Sequence, residues 1–128
     1  MEVIPMGRFI ITTAKNGSFH FSLKAGNGEI IATSETYSSM DGCKNGIESV
    51  RKNCRASVED QTVEGFKELK HPKYEMYKDK KGEFRFRLKA ANGETILASE
   101  GYTVKASCKN GIASVEANAP KAETVVTK

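Results

Sequence analysis

The segment Phe19-His20-Phe21-Ser22-Leu23-Lys24-Ala25 returns about 65 residues later as Phe84-Arg85-Phe86-Arg87-Leu88-Lys89-Ala90. The same displacement lays Asn27-Gly28-Glu29 over Asn92-Gly93-Glu94, and Ser34-Glu35 with Tyr37 over Ser99-Glu100 with Tyr102. Its longest match is Cys43-Lys44-Asn45-Gly46-Ile47 over Cys108-Lys109-Asn110-Gly111-Ile112. Roughly 22 of 48 aligned positions are identical without a gap, far above what shared composition produces. A unit of about fifty residues has too little apolar surface to offset the entropy of ordering its chain. The duplication therefore predicts two units, residues 1–62 and 72–128, joined by a connection at 63–71; the length allows one compact core or two very small ones, and the small apolar surface of each unit favours one compact domain.

Each unit reads as three strands and a helix. The first strand is expected over Arg8–Thr13 and Lys73–Lys78, and Asn16-Gly17 and Lys81-Gly82 then supply the positive-φ residues of a tight turn. The second strand alternates, with Phe84, Phe86 and Leu88 on one face and Arg85, Arg87 and Lys89 on the other. Asn27-Gly28 and Asn92-Gly93 announce another hairpin, leading into strands over Glu29–Ser34 and Glu94–Ser99. The period then changes. Cys43, Ile47, Val50 and Cys54 share one helical stripe, repeated by Cys108, Ile112 and Val115. Ser38 and Thr103 are the expected N-caps, and the helices should end near Asn53 and Asn118. A brief strand follows at Glu123–Thr127, with a weaker counterpart near Ser57–Asp60. Gly46 and Gly111 sit mid-helix, where glycine costs about 1 kcal/mol relative to alanine; close approach of the helix backbone to its neighbours is the expected reason, and a ligand contact through the exposed backbone is the alternative.

The string Phe84-Arg85-Phe86-Arg87-Leu88-Lys89-Ala90-Ala91-Asn92-Gly93-Glu94, with Ser99-Glu100-Gly101-Tyr102 and Asn110-Gly111-Ile112-Ala113-Ser114-Val115, resembles the YegP-like family. That family comprises small, uncharacterised, mainly bacterial proteins, and the resemblance covers residues 7–62 and 72–127. It implies an α+β fold: two tandem β3-αβ units sharing one antiparallel sheet, exchanging their C-terminal strands, with both helices packed on one face. It implies no activity, cofactor or binding residue. The long connection Arg55–His71 departs from the shorter members. Within it Val63, Phe66 and Leu69 are spaced three apart, either as one helical turn or, as preferred here, as cover for a sheet edge.

Composition narrows the class. The chain has 128 residues, a hydrophobic fraction of 38% and net charge +4, which suits a folded protein. Its longest apolar runs are a few residues, as at Phe9-Ile10-Ile11, too short to span a bilayer. The N-terminal residues lack a basic leader, and a cytoplasmic location is the expectation. Three cysteines without a close pair suit buried thiols better than disulfides, and two distant histidines give no metal motif. Neither a cofactor nor a metal is expected. Positive charge concentrates in the second unit. Residues 72–128 carry eleven Lys/Arg against seven Asp/Glu, and residues 1–54 carry six against five.

No catalytic constellation emerges. His20 should face away from Cys43, and its counterpart is Arg85, while His71 precedes Pro72 in the connection. Glu29, Glu35, Glu94 and Glu100 occupy strand ends rather than apolar runs that would tune them for acid–base work. Gly26-x-Gly28 belongs to a hairpin and not to a phosphate loop. What remains is a face carrying Arg85, Arg87 and Lys89, with Tyr77 on the adjacent strand. A basic sheet bearing an aromatic suits a polyanion or single-stranded nucleic acid. The same alternation is also what any half-solvated strand displays to water. The preferred expectation is a non-enzymatic, protein-binding module that uses the open sheet face or an edge strand. Weak binding of single-stranded nucleic acid or a polyanion through Tyr77, Arg85, Arg87 and Lys89 is the alternative. The expected state is a monomer with internal pseudo-two-fold symmetry and no membrane contact.

Overall fold

A computed structural model describes residues 7–127. Strands β1 (Arg8–Thr13), β2 (Phe19–Lys24) and β3 (Ile30–Thr33) precede helix α1 (Met40–Asn53) and strand β4 (Val58–Asp60). The second unit repeats this as β5 (Lys73–Lys78), β6 (Phe84–Lys89), β7 (Thr95–Ala98), α2 (Lys105–Asn118) and β8 (Glu123–Val126). All eight strands form one sheet in the order β4-β5-β6-β7-β3-β2-β1-β8. Each unit therefore sends its last strand to the far edge of the other unit. Helix α1 rests on β2 of its own unit and β7 of the other, and α2 rests on β6 and β3, so each helix carries the chain across the seam.

The antiparallel expectation holds for the six inner strands and fails at both edges. β4 runs parallel to β5, and β8 runs parallel to β1. The reason is topological, since a strand reached through a helical crossover is free to lie parallel to its neighbour, whereas strands joined by short hairpins are not.

The hairpins also differ from expectation in detail. In these hairpins glycine alone takes positive φ, at Gly17, Gly28, Gly82 and Gly93, and no asparagine does so among the described residues. In each case the glycine N–H donates to the carbonyl three residues back, as from Gly28 to Ala25 at 2.9 Å. This is the three-residue loop, a right-handed turn closed by a left-handed glycine. Asn27 and Asn92 serve through their side chains, each Oδ1 accepting the N–H of the following glutamate at 3.0 Å.

The caps lie one residue later than expected. Ser39 accepts from the Gly42 N–H at 3.0 Å, while Val104 begins α2 with no side-chain cap. The connection forms no helical turn. Val63 and Phe66 stay exposed and Leu69 is half-buried, so the apolar cover expected from these three is slight.

One core lies between the sheet and the two helices. Phe9, Ile11, Phe21, Leu23, Tyr74, Met76, Phe86 and Leu88 face Cys43, Ile47, Val50, Cys108, Ile112 and Val115. The mid-helix glycines follow from this packing. A Cβ on Gly111 would stand 2.6 Å from Tyr102 Oη and 2.9 Å from Phe86 Cε2. One on Gly46 would collide with Tyr37 Oη and stand 3.1 Å from Phe21 Cε2. Tyr74 donates from its buried hydroxyl to the Cys54 carbonyl at 2.6 Å, tying the end of α1 to the other unit.

All three thiols are buried, Cys54 included, and burial pushes each of them up, Cys108 to about 11. Because the thiolate is the reactive form, they should label slowly in the native protein and fully after denaturation. Rapid native labelling of Cys43 together with Cys108 would contradict the helix orientation described here.

The two units are not superimposable to the last strand. Val58 pairs with Tyr74, whereas Thr124, not Glu123, pairs with Phe9. Strand β8 is thus displaced by one residue relative to β4, after the 3-10 turn Ala119–Lys121 that contains Pro120. A slip of one exchanges the faces of every side chain. Glu59 on β4 and Val125 on β8 consequently occupy equivalent places on the outer face.

Candidate functional site

The outer sheet face brings the four expected residues together. Tyr77 lies on β5 opposite Arg85 on β6, with Arg87 and Lys89 at alternate positions along β6. Two of the three cations are engaged by acids. Arg85 Nε donates to Asp79 Oδ2 at 2.7 Å, and Arg87 Nε donates to Glu75 Oε1 at 2.6 Å. The Arg87 guanidinium also lies 4.4 Å from the Tyr77 ring centroid, so this aromatic face is already covered. Lys89 is half-buried and has no ion pair among the described residues.

Beside these residues on the same face lies a buried charge network that sequence reasoning missed. Lys73 Nζ meets Glu59 Oε1 at 2.7 Å and Glu75 Oε2 at 3.4 Å, with Lys73 and Glu59 each only 2% exposed. The connection closes over them: Leu69 N–H donates to Glu59 Oε1 at 2.6 Å, and Gln61 Nε2 donates to Glu59 Oε2 at 2.7 Å. Burial alone would raise the Glu59 carboxyl. The hydrogen bonds from Lys73, Gln61 and Leu69, with the Lys73 charge, instead hold it down to about 2. The hydrogen bond to Glu59 likewise raises Lys73 against its burial. The alternation of Lys73 and Glu75 signals an outer-face pair, but nothing in the order of residues tells that a loop will bury it.

Among its described residues the first unit has no such network, because Arg8, Ile10, Ser22 and Val125 stand where Lys73, Glu75, Arg87 and Glu59 stand in the second. The two sheet edges differ accordingly. At one, β4 is a three-residue strand whose acids are engaged, Glu59 as above and Asp60 by Lys105 Nζ at 2.6 Å. At the other, β8 presents Thr124, Val125 and Val126, with Val126 50% exposed. Among the described residues no strand pairs with its outer side. A groove of about 290 Å³ runs between β8 and α1, lined by Lys44, Asn45, Ile47, Glu48, Thr124 and Val126.

His20 stands on the outer face and Cys43 in the core, so the sheet separates them. Among the described residues no group of three His, Cys, Asp or Glu side chains converges as a metal-binding set. No helix among them is long and apolar enough to cross a membrane.

Comparison with known proteins gives this arrangement its relatives. The model of a domain of unknown function, DUF1508, matches twice, at residues 14–60 and 79–125. The UPF0339 protein YegP of Yersinia pestis is 44% identical over 113 residues, spanning 88% of each chain. A UPF0339 protein of Agrobacterium fabrum is 58% identical over 53 residues, which is 41% of this chain but 86% of its own. The solution structure of yegP from E. coli, a protein of unknown function, superimposes with a TM-score of 0.80 at 36% identity, covering 98% of this chain and 97% of that one. A UPF0339 protein from Shewanella oneidensis gives 0.76 at 36% identity, covering 94% of this chain and 90% of its own. Two matched repeats, relatives along most of the chain and a shared fold place this protein in the DUF1508 (UPF0339, YegP-like) family, whose function is unknown.

Proposed function

We propose that this protein is a non-enzymatic binding module that takes an extended segment of a protein partner along the open edge of β8. The observation that carries this reading is the contrast between the two edges. β4 is short and its acids are engaged, which discourages strand addition. β8 is β-branched and unpaired on its outer side among the described residues, and it flanks a groove. An added strand would gain main-chain hydrogen bonds from β8 and place alternate side chains over Ile47 and Val126.

The backbone direction supplies a selective test. Thr127 N–H donates inward to the Ile11 carbonyl at 2.9 Å, so the intervening Val126 N–H points outward. Val126→Pro removes that donor without touching the ladder to β1, and proline is tolerated on an edge strand. A partner captured from nuclease-treated lysate by the natural protein should bind the variant at least tenfold more weakly, at an unchanged melting temperature. Equal capture by both proteins refutes the edge reading.

The alternative, single-stranded nucleic acid or a polyanion on Tyr77, Arg85, Arg87 and Lys89, has less support. Asp79 and Glu75 neutralise two of its three cations, and Arg87 occupies the stacking surface. Such binding would weaken steeply with salt as counterions are released, and Arg85→Ala with Arg87→Ala would flatten that slope.

A further inference from the structure

Two clefts on the helix side are related by the duplication. One, of about 210 Å³, lies between α2 and the β2–β3 turn and includes Asn110, Ser114, Ala25 and Asn27 in its lining. The other, of about 400 Å³, lies between α1 and the β6–β7 turn and includes Asn45, Ser49, Ala90 and Asn92. Each residue of the first four is the repeat counterpart of one in the second. Each cleft takes its helix from one unit and its turn from the other, so neither exists in a single unit.

The halves differ at more than half of their aligned positions, so retention of all four residues needs a reason. Three have one inside the fold. Ala25 and Ala90 close their hairpins, the two turn asparagines receive glutamate N–H groups, and Ser49 and Ser114 accept from Asn53 and Asn118. Asn45 and Asn110 have none. Both are exposed, neither side chain makes a hydrogen bond among the described residues, and both sit in helix interiors where asparagine is a poor helix former. A residue that weakens its helix twice, and faces equivalent clefts twice, is placed there for something outside the chain.

The free chemistry of the clefts identifies the class. The carboxamides of Asn45 and Asn110 offer a donor and an acceptor each. The turn asparagines keep their Nδ2 donors, and the serine hydroxyls keep a hydrogen to donate while their oxygens accept from asparagine. Alanine supplies a small apolar floor; Tyr102 and Glu29 add a hydroxyl and a carboxylate acceptor to the first cleft, and Glu48 and Lys52 add a carboxylate and an ammonium to the second. Neutral carboxamides and hydroxyls beside a carboxylate in each cleft, over a small apolar floor, match the hydroxyls of a sugar ring. They do not match a phosphate, since the lining of the first cleft includes Glu29 and no cation, and Lys52 in the second is accompanied by Glu48. We propose that the two seam clefts are equivalent binding sites for a sugar ring, taken free or as part of an oligosaccharide, with Asn45 and Asn110 as the recognition residues.

The test is an amide NMR titration of the full-length, nitrogen-15-labelled protein with glucose, N-acetylglucosamine and a trimer of each. At about 20 mM sugar, some twentyfold above a millimolar Kd, saturable shifts should appear around Asn45, Ser49 and Asn92 and around Asn110, Ser114 and Asn27. Asn110→Ala should abolish the second set alone, and Asn45→Ala with Asn110→Ala should abolish both. Alanine favours the helix, so the melting temperature of the double variant should hold or rise; a fall would mean that the asparagines serve the fold and would overturn the proposal. A trimer binding at least tenfold more tightly than its monomer identifies a polymer as the source, and equal affinity identifies the free sugar. Absence of saturable shifts with all four sugars, or shifts that survive in the double variant, also overturns it.

Discussion

Residues 1–66 and 67–128, produced separately, are expected to yield no cooperatively melting monomer. Each fragment carries a strand that belongs to the other's sheet edge. β4 finds its ladder on β5, and β8 finds its ladder on β1. Each also leaves one side of its helix uncovered, because α1 packs on β7 and α2 on β3. At about sixty residues the remaining core is marginal even for an intact fold. Mixing the two fragments should restore a single transition by recreating both exchanged edges, the β3–β7 seam and the Tyr74 to Cys54 hydrogen bond. The measurement is thermal unfolding by circular dichroism with the oligomeric state from sedimentation. Two independently stable monomers would show that the shared sheet is dispensable.

Lys73→Met is expected to cost about 3–5 kcal/mol at neutral pH, because it leaves buried carboxylates without their cation. Glu59 would keep only Gln61 and the Leu69 N–H, and Glu75 would keep only Arg87. Glu59→Leu in the same chain should restore most of the loss, since an apolar pair replaces an ion pair at little net cost. The pH dependence follows from the depressed Glu59 carboxyl. A group whose folded pKa lies near 2 and whose ordinary value is 4.5 contributes stability that is present above pH 4.5 and lost as pH falls towards 2. The natural protein should lose stability across that window, and the deficit of Lys73→Met should shrink there as Glu59 becomes neutral. Denaturant unfolding at pH 7 and pH 3 measures both effects. A cost below about 1 kcal/mol would place the network in the range of solvated surface pairs and remove the sealing role of the connection.

Much of the secondary structure was legible because it is local. Alternation in Phe84–Lys89 and the stripe of Cys43, Ile47, Val50 and Cys54 each report a periodicity that the backbone enforces residue by residue. The hairpin glycines were legible for the same reason, though the turn type was not, since Asn-Gly suits both a two-residue and a three-residue loop. The candidate surface was half legible. The side chains of Tyr77, Arg85, Arg87 and Lys89 do share a face, but their charge is set by Asp79, Glu75 and a lysine buried under a loop.

The sequence by itself determined the duplication, the strands and helices of each unit, and which faces are apolar, because these follow from spacing along one chain. Only the tertiary structure decided that the exchanged strands run parallel to their neighbours and that β8 sits one residue out of step with β4. It also decided that Lys73 and Glu59 meet out of water, and that the clefts at Asn45 and Asn110 are built across the seam. Each of those depends on segments far apart in the chain, and no local periodicity records which of them will come to lie side by side.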